Sequence, residues 1–499
     1  MLRPLITAAA AVALLAGCSG GGDKSDSKSG DDPGKSTSST PAAPAVASFD
    51  PPKAFLAAAA IGEPAIDKVT KYDIESGIVG QTAVYATTEG ISGTNVAGQG
   101  SPWNVPAQDA PTTTTSDVTK PMAVQLNGKD AVAVAFVQRA QGSGTQKARG
   151  QINFMWLDPT DGKKLAQVIL DLTPALGPDE GADDVLSQAA DPATGQLAVG
   201  VSPSSEAAAK KAGQFTVYAD PATQKGTVIP NLRAVGLLNG VVAGARGTEQ
   251  EGSTNLSAAL IDATTGAVKK NTPIAMNYLS PTGAAAPKHG YLFGHKYVAP
   301  PPGKYQGHYV SSMYSIDLTS GAVAETKFAA SPKQSPNYSC WSDEQSAVVC
   351  NAGQPGSQSN EIIGFDDTTG KKSWGYTSKS GSRVVPAITA AYHGVVYGQA
   401  EAEPILMDAK TGQDIPTPTP TPADGSTPST PTDTSSPTAG ATPTDESSST
   451  PGGGSDMSLL NGKVKSPTAV SQYGATYLQD PLGDDLDNLT ILIVLKAVA

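Results

Sequence analysis

Short apolar runs that end on an aspartate recur along the chain. Asn153-Phe-Met-Trp-Leu157 leads into Asp158, Ala258-Ala-Leu-Ile261 into Asp262, and Pro404-Ile-Leu-Met407 into Asp408. A turn segment follows each, most often with Thr-Gly three and four positions on, as in Asp262-Ala-Thr-Thr-Gly266, Asp366-Asp-Thr-Thr-Gly370 and Asp408-Ala-Lys-Thr-Gly412. Asp suits such a turn because its carboxylate folds back onto backbone N–H groups two residues on. Gly suits its end because a positive φ costs it nothing. Further copies start at Asp73, Asp220 and Asp317. Elsewhere the pattern is also strand-like, as in Ala131-Val-Ala-Val-Ala-Phe-Val137, and no long amphipathic stretch of period 3.6 is apparent. The expected class is all-β.

From Asp158 onward the copies are 62, 42, 55, 49 and 42 residues apart. A period of this size predicts a closed β-propeller of four-stranded antiparallel blades. The reading favours seven blades, with eight possible, because the 85 residues between Asp73 and Asp158 hold either one long-looped blade or two. Asp191-Pro-Ala-Thr-Gly195 lies only 29 residues before Asp220 and is assigned to the outer hairpin of the same blade.

One copy is fuller than the rest. Asp366 to Trp374 reads Asp-x-x-Thr-Gly-x-x-x-Trp, which resembles the repeat of the quinoprotein-like, pyrroloquinoline-quinone-type β-propellers. The resemblance covers roughly residues 55–415 and 456–499. It implies that Trp374 docks one blade on the next. The Trp is missing from other copies, where Lys270 follows Asp262 and Glu325 follows Asp317, so the chain reads as a diverged member. Active members of that family place a disulfide between adjacent Cys over the quinone, a Trp floor beneath it, and Ca²⁺ held by Glu, Asn and Asp. Here Cys340 and Cys350 are ten apart, which argues against a quinone-dependent dehydrogenase; that enzyme is kept as the alternative.

The ends of the chain differ in composition. Residues 1–18 carry Arg3, an apolar core from Leu5 to Ala16, and Leu15-Ala16-Gly17-Cys18, which resembles the lipobox of bacterial lipoproteins, here of actinobacterial type. The resemblance implies a diacylglyceryl group on Cys18 and a signal peptide over 1–18. Residues 19–50 are nearly free of bulky apolar side chains and read as a disordered tether. Blades are expected over 51–412, a disordered Pro/Thr/Ser-rich insertion over 413–455, and the last blade with ring closure over 456–499.

Net charge is −12, with no Lys/Arg cluster to hold a phosphate backbone, so nucleic acid is excluded as a partner. Cys340 and Cys350 flank a turn; if it centres on Gln345 they face each other and can form a disulfide, the alternative being two free thiols. His289, His295 and His308 are candidate metal ligands without a Cys or paired carboxylate at metal spacing, and solvated hairpin histidines are the plainer reading. Asp484, Asp485 and Asp487, like Asp179, Glu180, Asp183 and Asp184, lack the spacing of a Ca²⁺ loop and read as polar turns. No Gly-x-Ser-x-Gly elbow and no phosphate-binding glycine loop is found. The expectation is a non-enzymatic, cofactor-free binding, scaffold or sensor module on the extracytoplasmic face of the cell membrane, with a protein or cell-envelope partner.

Overall fold

The computed structural model describes residues 45–499 apart from 62–73, 109–112, 146, 248–254, 304–305, 330, 332–336, 353–359, 380–382, 402, 417–464 and 480–490. The leader with Cys18, Asp73, nearly all of the Pro/Thr-rich stretch and Asp484, Asp485 and Asp487 lie outside the described residues. The repeat turn expected at Asp73–Gly77 is corrected: Glu75, Ser76 and Gly77 stand in a strand paired with Ala86, Tyr85 and Val84.

The strands form eight antiparallel sheets among the described residues, so the seven-blade expectation is corrected to eight. After β1 (Phe55–Ile61), blade one holds β2 (Glu75–Val79), β3 (Thr82–Thr87), β4 (Gly90–Asn95) and β5 (Trp103–Pro106). Blade two holds β6 (Thr113–Val118), β7 (Met122–Leu126), β8 (Lys129–Ala140), β9 (Arg149–Leu157) and β10 (Lys164–Asp171). The long interval before Asp158 thus contains two blades. The first went uncounted because Asn95 stands where the other turns carry Asp. In blade two, β6 and β7 are two pieces of one inner strand, both paired with β8 and broken at residues 119–121, where Pro121 has no N–H to give.

A single-turn helix α1 (Thr173–Leu176) leads to blade three: β11 (Ala182–Ala190), β12 (Leu197–Pro203), helix α2 (Glu206–Ala212), β13 (Phe215–Asp220) and β14 (Lys225–Ile229). Blade four is β15 (Leu232–Leu238), β16 (Val241–Arg246), β17 (Ser257–Asp262) and β18 (Val268–Pro273). Blade five is β19 (Tyr278–Pro281), β20 (His289–Val298), β21 (His308–Asp317) and β22 (Val323–Lys327). Blade six is β23 (Tyr338–Ser342), β24 (Ala347–Ala352), β25 (Glu361–Asp366) and β26 (Lys371–Thr377). Blade seven is β27 (Ala387–Tyr392), β28 (Val395–Ala400), β29 (Glu403–Asp408) and β30 (Asp414–Ile415).

Blade eight closes the ring. Its inner strands β31 (Ala469–Ser471), β32 (Gly474–Gln479) and β33 (Ile491–Ala497) come from the end of the chain, and its outermost strand is β1, with Phe55 opposite Ala497 and Leu56 opposite Lys496. Closure covers the edge each terminal segment would otherwise expose. Residues 45–50, assigned by composition to the tether, lie against this blade. Phe49 N–H donates to Gln472 O at 2.8 Å, and Val46 packs beside Ile74 and Tyr473.

The core lies between blades. Along β8, Ala131, Ala133, Ala135 and Val137 face blade three, while Val132, Val134 and Phe136 face blade one. Both faces of a blade are buried, which is why this strand is a continuous apolar run instead of an alternating one. No described helix is long and apolar enough to cross a membrane.

Candidate functional site

The Asp turns join the third and fourth strands of blades two to seven. At Asp158, Asp262, Asp317, Asp366 and Asp408 the Gly N–H four residues on donates to the Asp carbonyl at 2.8–2.9 Å, and that Gly has φ between 65° and 71°. The carboxylate accepts from the following turn, for example from Thr368 N–H at 2.8 Å at Asp366 and Thr411 N–H at 2.8 Å at Asp408. Asp220 makes the same bond to Ala222 N–H, but its positive φ falls on Gln224, leaving Gly226 inside β14. Hydrogen bonds from Thr264 and Thr265 pull the Asp262 carboxyl well below the usual range; those from Thr160 lower Asp158, and Ser320 lowers Asp317. At Asp366 burial opposes the shift, but the bonds from Thr368 and Thr369 prevail and its pKa is lowered. The Asp191 turn has the same geometry with Gly195 at φ 74°, yet it joins β11 to β12 and is the inner hairpin of blade three, not the outer.

These turns are docking points between blades. Trp374 on β26 donates its indole N–H to Ala409 O of blade seven at 2.9 Å, and its ring covers Gly412, where a Cβ would sit 2.5 Å from the ring. Trp103 does the same from blade one to blade two: its N–H reaches Pro159 O at 3.0 Å and its ring lies on Gly162. In both blades a strand glycine, Gly93 or Gly364, stands opposite the Trp and leaves room for the ring. Trp103 lies eight residues after Asn95, as Trp374 does after Asp366. The second Trp copy was therefore legible once Asn is admitted as an Asp substitute. At the next joint of this kind Lys270 fills the Trp position. Its aliphatic stem lies on Gly321 and its ammonium donates to Ser320 O at 3.3 Å. Glu325 instead turns back onto its own blade, accepting from Ser312 and Tyr314. Trp156, whose N–H donates to Gly195 O at 2.7 Å, anchors blade two on the inner turn of blade three.

Cys340 and Cys350 are directly opposite in the β23–β24 register and form a disulfide. Both are buried at the joint of blades five and six, among Tyr291, Phe293, Ile363 and Phe365. The histidines do not converge. His289 and His295 are six residues apart on β20, about 20 Å along a strand, and His308 starts β21 opposite Val298. His295 stacks on Tyr278 at 4.6 Å. Buried His289 meets Asp367, whose carbonyl lies 2.7 Å from Nδ1. Burial disfavours its charge, but the hydrogen bonds and charge of Asp367, aided by Asp317, hold its pKa above the ordinary value. Asp367 is itself wholly buried and accepts from Lys288 N–H and the Tyr291 hydroxyl. Asp179, Glu180 and Asp184 have separate partners in Lys147, Ser205 and Ser202. Among the described residues no group of three or more His, Cys, Asp or Glu is placed to hold a metal ion.

Sequence reasoning missed a charged set on and beside the inner strands, coupled across blades. The inner strand of each blade lies at one edge of its sheet, and these edges surround the channel. Glu75 opens the inner strand of blade one. Lys120 sits in the break of blade two's inner strand, where Gln188 of blade three clamps its backbone on both sides, Lys120 N–H to Oε1 at 2.8 Å and Nε2 to Lys120 O at 3.2 Å. The Lys120 ammonium donates to Thr468 O of blade eight at 3.3 Å. Burial pushes its pKa down, against the pull of Glu75 and Glu344. Burial likewise pushes both carboxyls up, Lys120 opposing at Glu75 and His393 and Lys120 at Glu344. Glu344, at φ 63°, is exposed in the inner turn of blade six. The one local signal was the Lys-Pro break in an apolar strand.

No family model and no curated protein matches the chain. Among solved structures it is similar to the β-propeller domain of the Trilobed protease from Pyrococcus furiosus, at 12% identity and TM-score 0.34, over 60% of this chain and 83% of that one. It is also similar to the dihydro-heme d1 dehydrogenase NirN, at 10% and 0.38, over 69% and 66%. A third is an oligogalacturonate lyase in complex with manganese, at 12% and 0.35, over 71% and 97%. At these values none of them bears on function.

Proposed function

We propose that this β-propeller is a lipid-anchored protein of the extracytoplasmic membrane face that acts as a non-catalytic binding, scaffold or sensor module toward a protein or cell-envelope component. One observation carries the reading. The residue types that a quinone enzyme of this architecture would commit to its cofactor are spent here on joints. The disulfide is buried between blades five and six, and Trp103, Trp156 and Trp374 bond to the turns of neighbouring blades. This donor set does not fit the quinone. The blade loops remain free to vary on a rigid ring, which is where binding resides. The anchored half of the reading rests on Leu15-Ala16-Gly17-Cys18 and the polar stretch after it.

Two experiments test it. Cys18→Ala should move the protein from the membrane fraction to the medium; unchanged fractionation removes the anchor from the proposal. Purified protein is then given pyrroloquinoline quinone and Ca²⁺ and assayed for alcohol or sugar oxidation with an artificial electron acceptor. Stoichiometric quinone binding with turnover overturns the non-catalytic reading. Absence of binding, with a reproducible partner crosslinked in the native membrane, supports it.

A further inference from the structure

Around most of the ring the outermost strand is guarded against pairing with another chain. β5 has four residues and ends at Pro106, and β30 has two residues. β14 carries Lys225, β18 carries Lys269 and Lys270, β22 carries Glu325 and Lys327, and β26 carries Lys371 and Lys372. Short length, charge and proline keep an exposed edge from recruiting a second strand. β10 has none of these in its interior. It is the longest of the outermost strands, at eight residues, and no charge stands between Leu165 and Leu170. It ends its sheet, paired on one side by β9. β1 is also uncharged, but its middle is four alanines.

Exposure marks the same strand. Seven large apolar residues stand exposed among the described residues, and β10 is the only strand that carries two of them, Leu165 at 39% and Ile169 at 46%. Ala166 and Val168 turn inward to blade three. Gln167, whose amide donates to Asn153 Oδ1 at 3.0 Å, lies midway between the two exposed residues. Leu165 stands at a bulge that follows the Asp158 turn. Bulges follow the Asp262 and Asp366 turns at the same place, so this one belongs to the turn and is not a guard of this edge. The ends of the strand are oppositely charged. Lys163 and Lys164 are exposed at its start, and Asp171, half-exposed beside Arg149 at 3.6 Å, closes it.

We propose that β10 pairs antiparallel with β10 of a second copy of this chain about a two-fold axis at Gln167, so that the sheet of blade two continues from one ring into the next. A two-fold contact between like edges requires that the two halves of the edge match each other. Here they do. With Gln167 opposite its own copy, Leu165 of each chain meets Ile169 of the other, and the Lys163 and Lys164 end of each comes beside the other's Asp171. Opposite charges at the two ends of one strand select a second copy as the occupant. The pairing depends neither on the anchor nor on the binding reading.

The test is sedimentation velocity of the full chain carrying Cys18→Ala, which removes association through lipid, over a series of concentrations, with melting curves to confirm that each variant is folded. Two eight-residue edges bury little surface, so a reversible dimer with a dissociation constant on the order of 10 μM is expected. Ile169→Lys puts a guard on the edge and should weaken the dimer by roughly tenfold or more. Lys163→Glu with Lys164→Glu sets like charges at both ends, and Asp171→Lys does so with the opposite sign. Each should weaken self-association by roughly tenfold, while an equimolar mixture of the two variants should dimerise as the parent does. A monomer at every concentration overturns the proposal. So does a dimer that folded Ile169→Lys leaves intact, or a mixture that associates no better than its separate components.

Discussion

The joint of blades six and seven and the joint of blades five and six use the same Asp turn in two ways. At the first, Trp374 lays an apolar ring on Gly412 and adds one hydrogen bond. At the second, the Gly370 turn meets Ser315, whose hydroxyl donates to Gly370 O at 2.8 Å, and His289, which is held by Asp367. At the first joint the ring contact itself is apolar, with the Tyr376 hydroxyl on Met407 Sδ and the Arg383–Asp414 pair beside it. The second keeps a buried carboxylate satisfied by a backbone N–H and a phenol, with an imidazole 3.5 Å away and the disulfide alongside. The turn is thus an adaptable socket: what seals it is set by the side chain that the preceding blade offers.

The largest expected effect breaks the polar joint. Asp367→Ala leaves Lys288 N–H and the Tyr291 hydroxyl without their acceptor, removes the carboxylate 3.5 Å from His289 Nδ1, and should cost about 3–5 kcal/mol in chemical denaturation; a loss below about 1 kcal/mol would mean water replaces the carboxylate. Next, Trp374→Ala should cost about 2–4 kcal/mol at the apolar joint, since the ring is only partly buried. Its loss should be the same at pH 6 and pH 8, and a pH-dependent loss would erase the contrast between the joints. Opening the Cys340–Cys350 loop by double Ala substitution should lower stability by about 2–3 kcal/mol on the chain-entropy account. Two free thiols in mass spectrometry of the unreduced wild type would refute the bond itself.

The smallest effect sharpens the comparison. The pKa of His289 is raised in the fold, so the stability it contributes is fully present below its unfolded value near 6.5 and fades as pH rises through the folded value. Melting temperature should therefore drift down from about pH 6.5 upward, and His289→Gln should flatten that drift while Trp374→Ala preserves it. An unchanged slope in His289→Gln would assign the drift elsewhere. The lowered Asp158, Asp262, Asp317 and Asp366 act at the other end. Their contribution holds above the unfolded carboxyl value and is lost as pH falls through the folded ones, so acid should loosen these four turns.

Much of this was legible along the chain, and particular residues show the limits. Asp366 and Gly370 were readable because an Asp-capped turn is a local object. Cys340 and Cys350 were readable because a hairpin centred between them sets their register. Blade number was misjudged where Asn95 replaced Asp, although Gly93-Thr-Asn95 and Trp103 repeat the spacing of Gly364-Phe-Asp366 and Trp374. Lys270 read as a loss of the docking Trp, yet its stem and ammonium do the same work on Gly321 and Ser320. Asp191 matched the turn pattern but sits on the inner hairpin, because two turns of one geometry serve different strand pairs.

By itself, then, the sequence determined the class of fold, the repeating turn, the return of the final strands to close the ring and the disulfide register. All depend on spacings within a few dozen residues or on apolar patterning. Only the tertiary structure decided which side chain seals each joint, and that Glu75 and Glu344 come near enough to act on the charge of Lys120. Those three lie on different blades, successive members 45 and 224 positions apart. A ring brings its inner edges together whatever their distance along the chain, so no local pattern records that meeting.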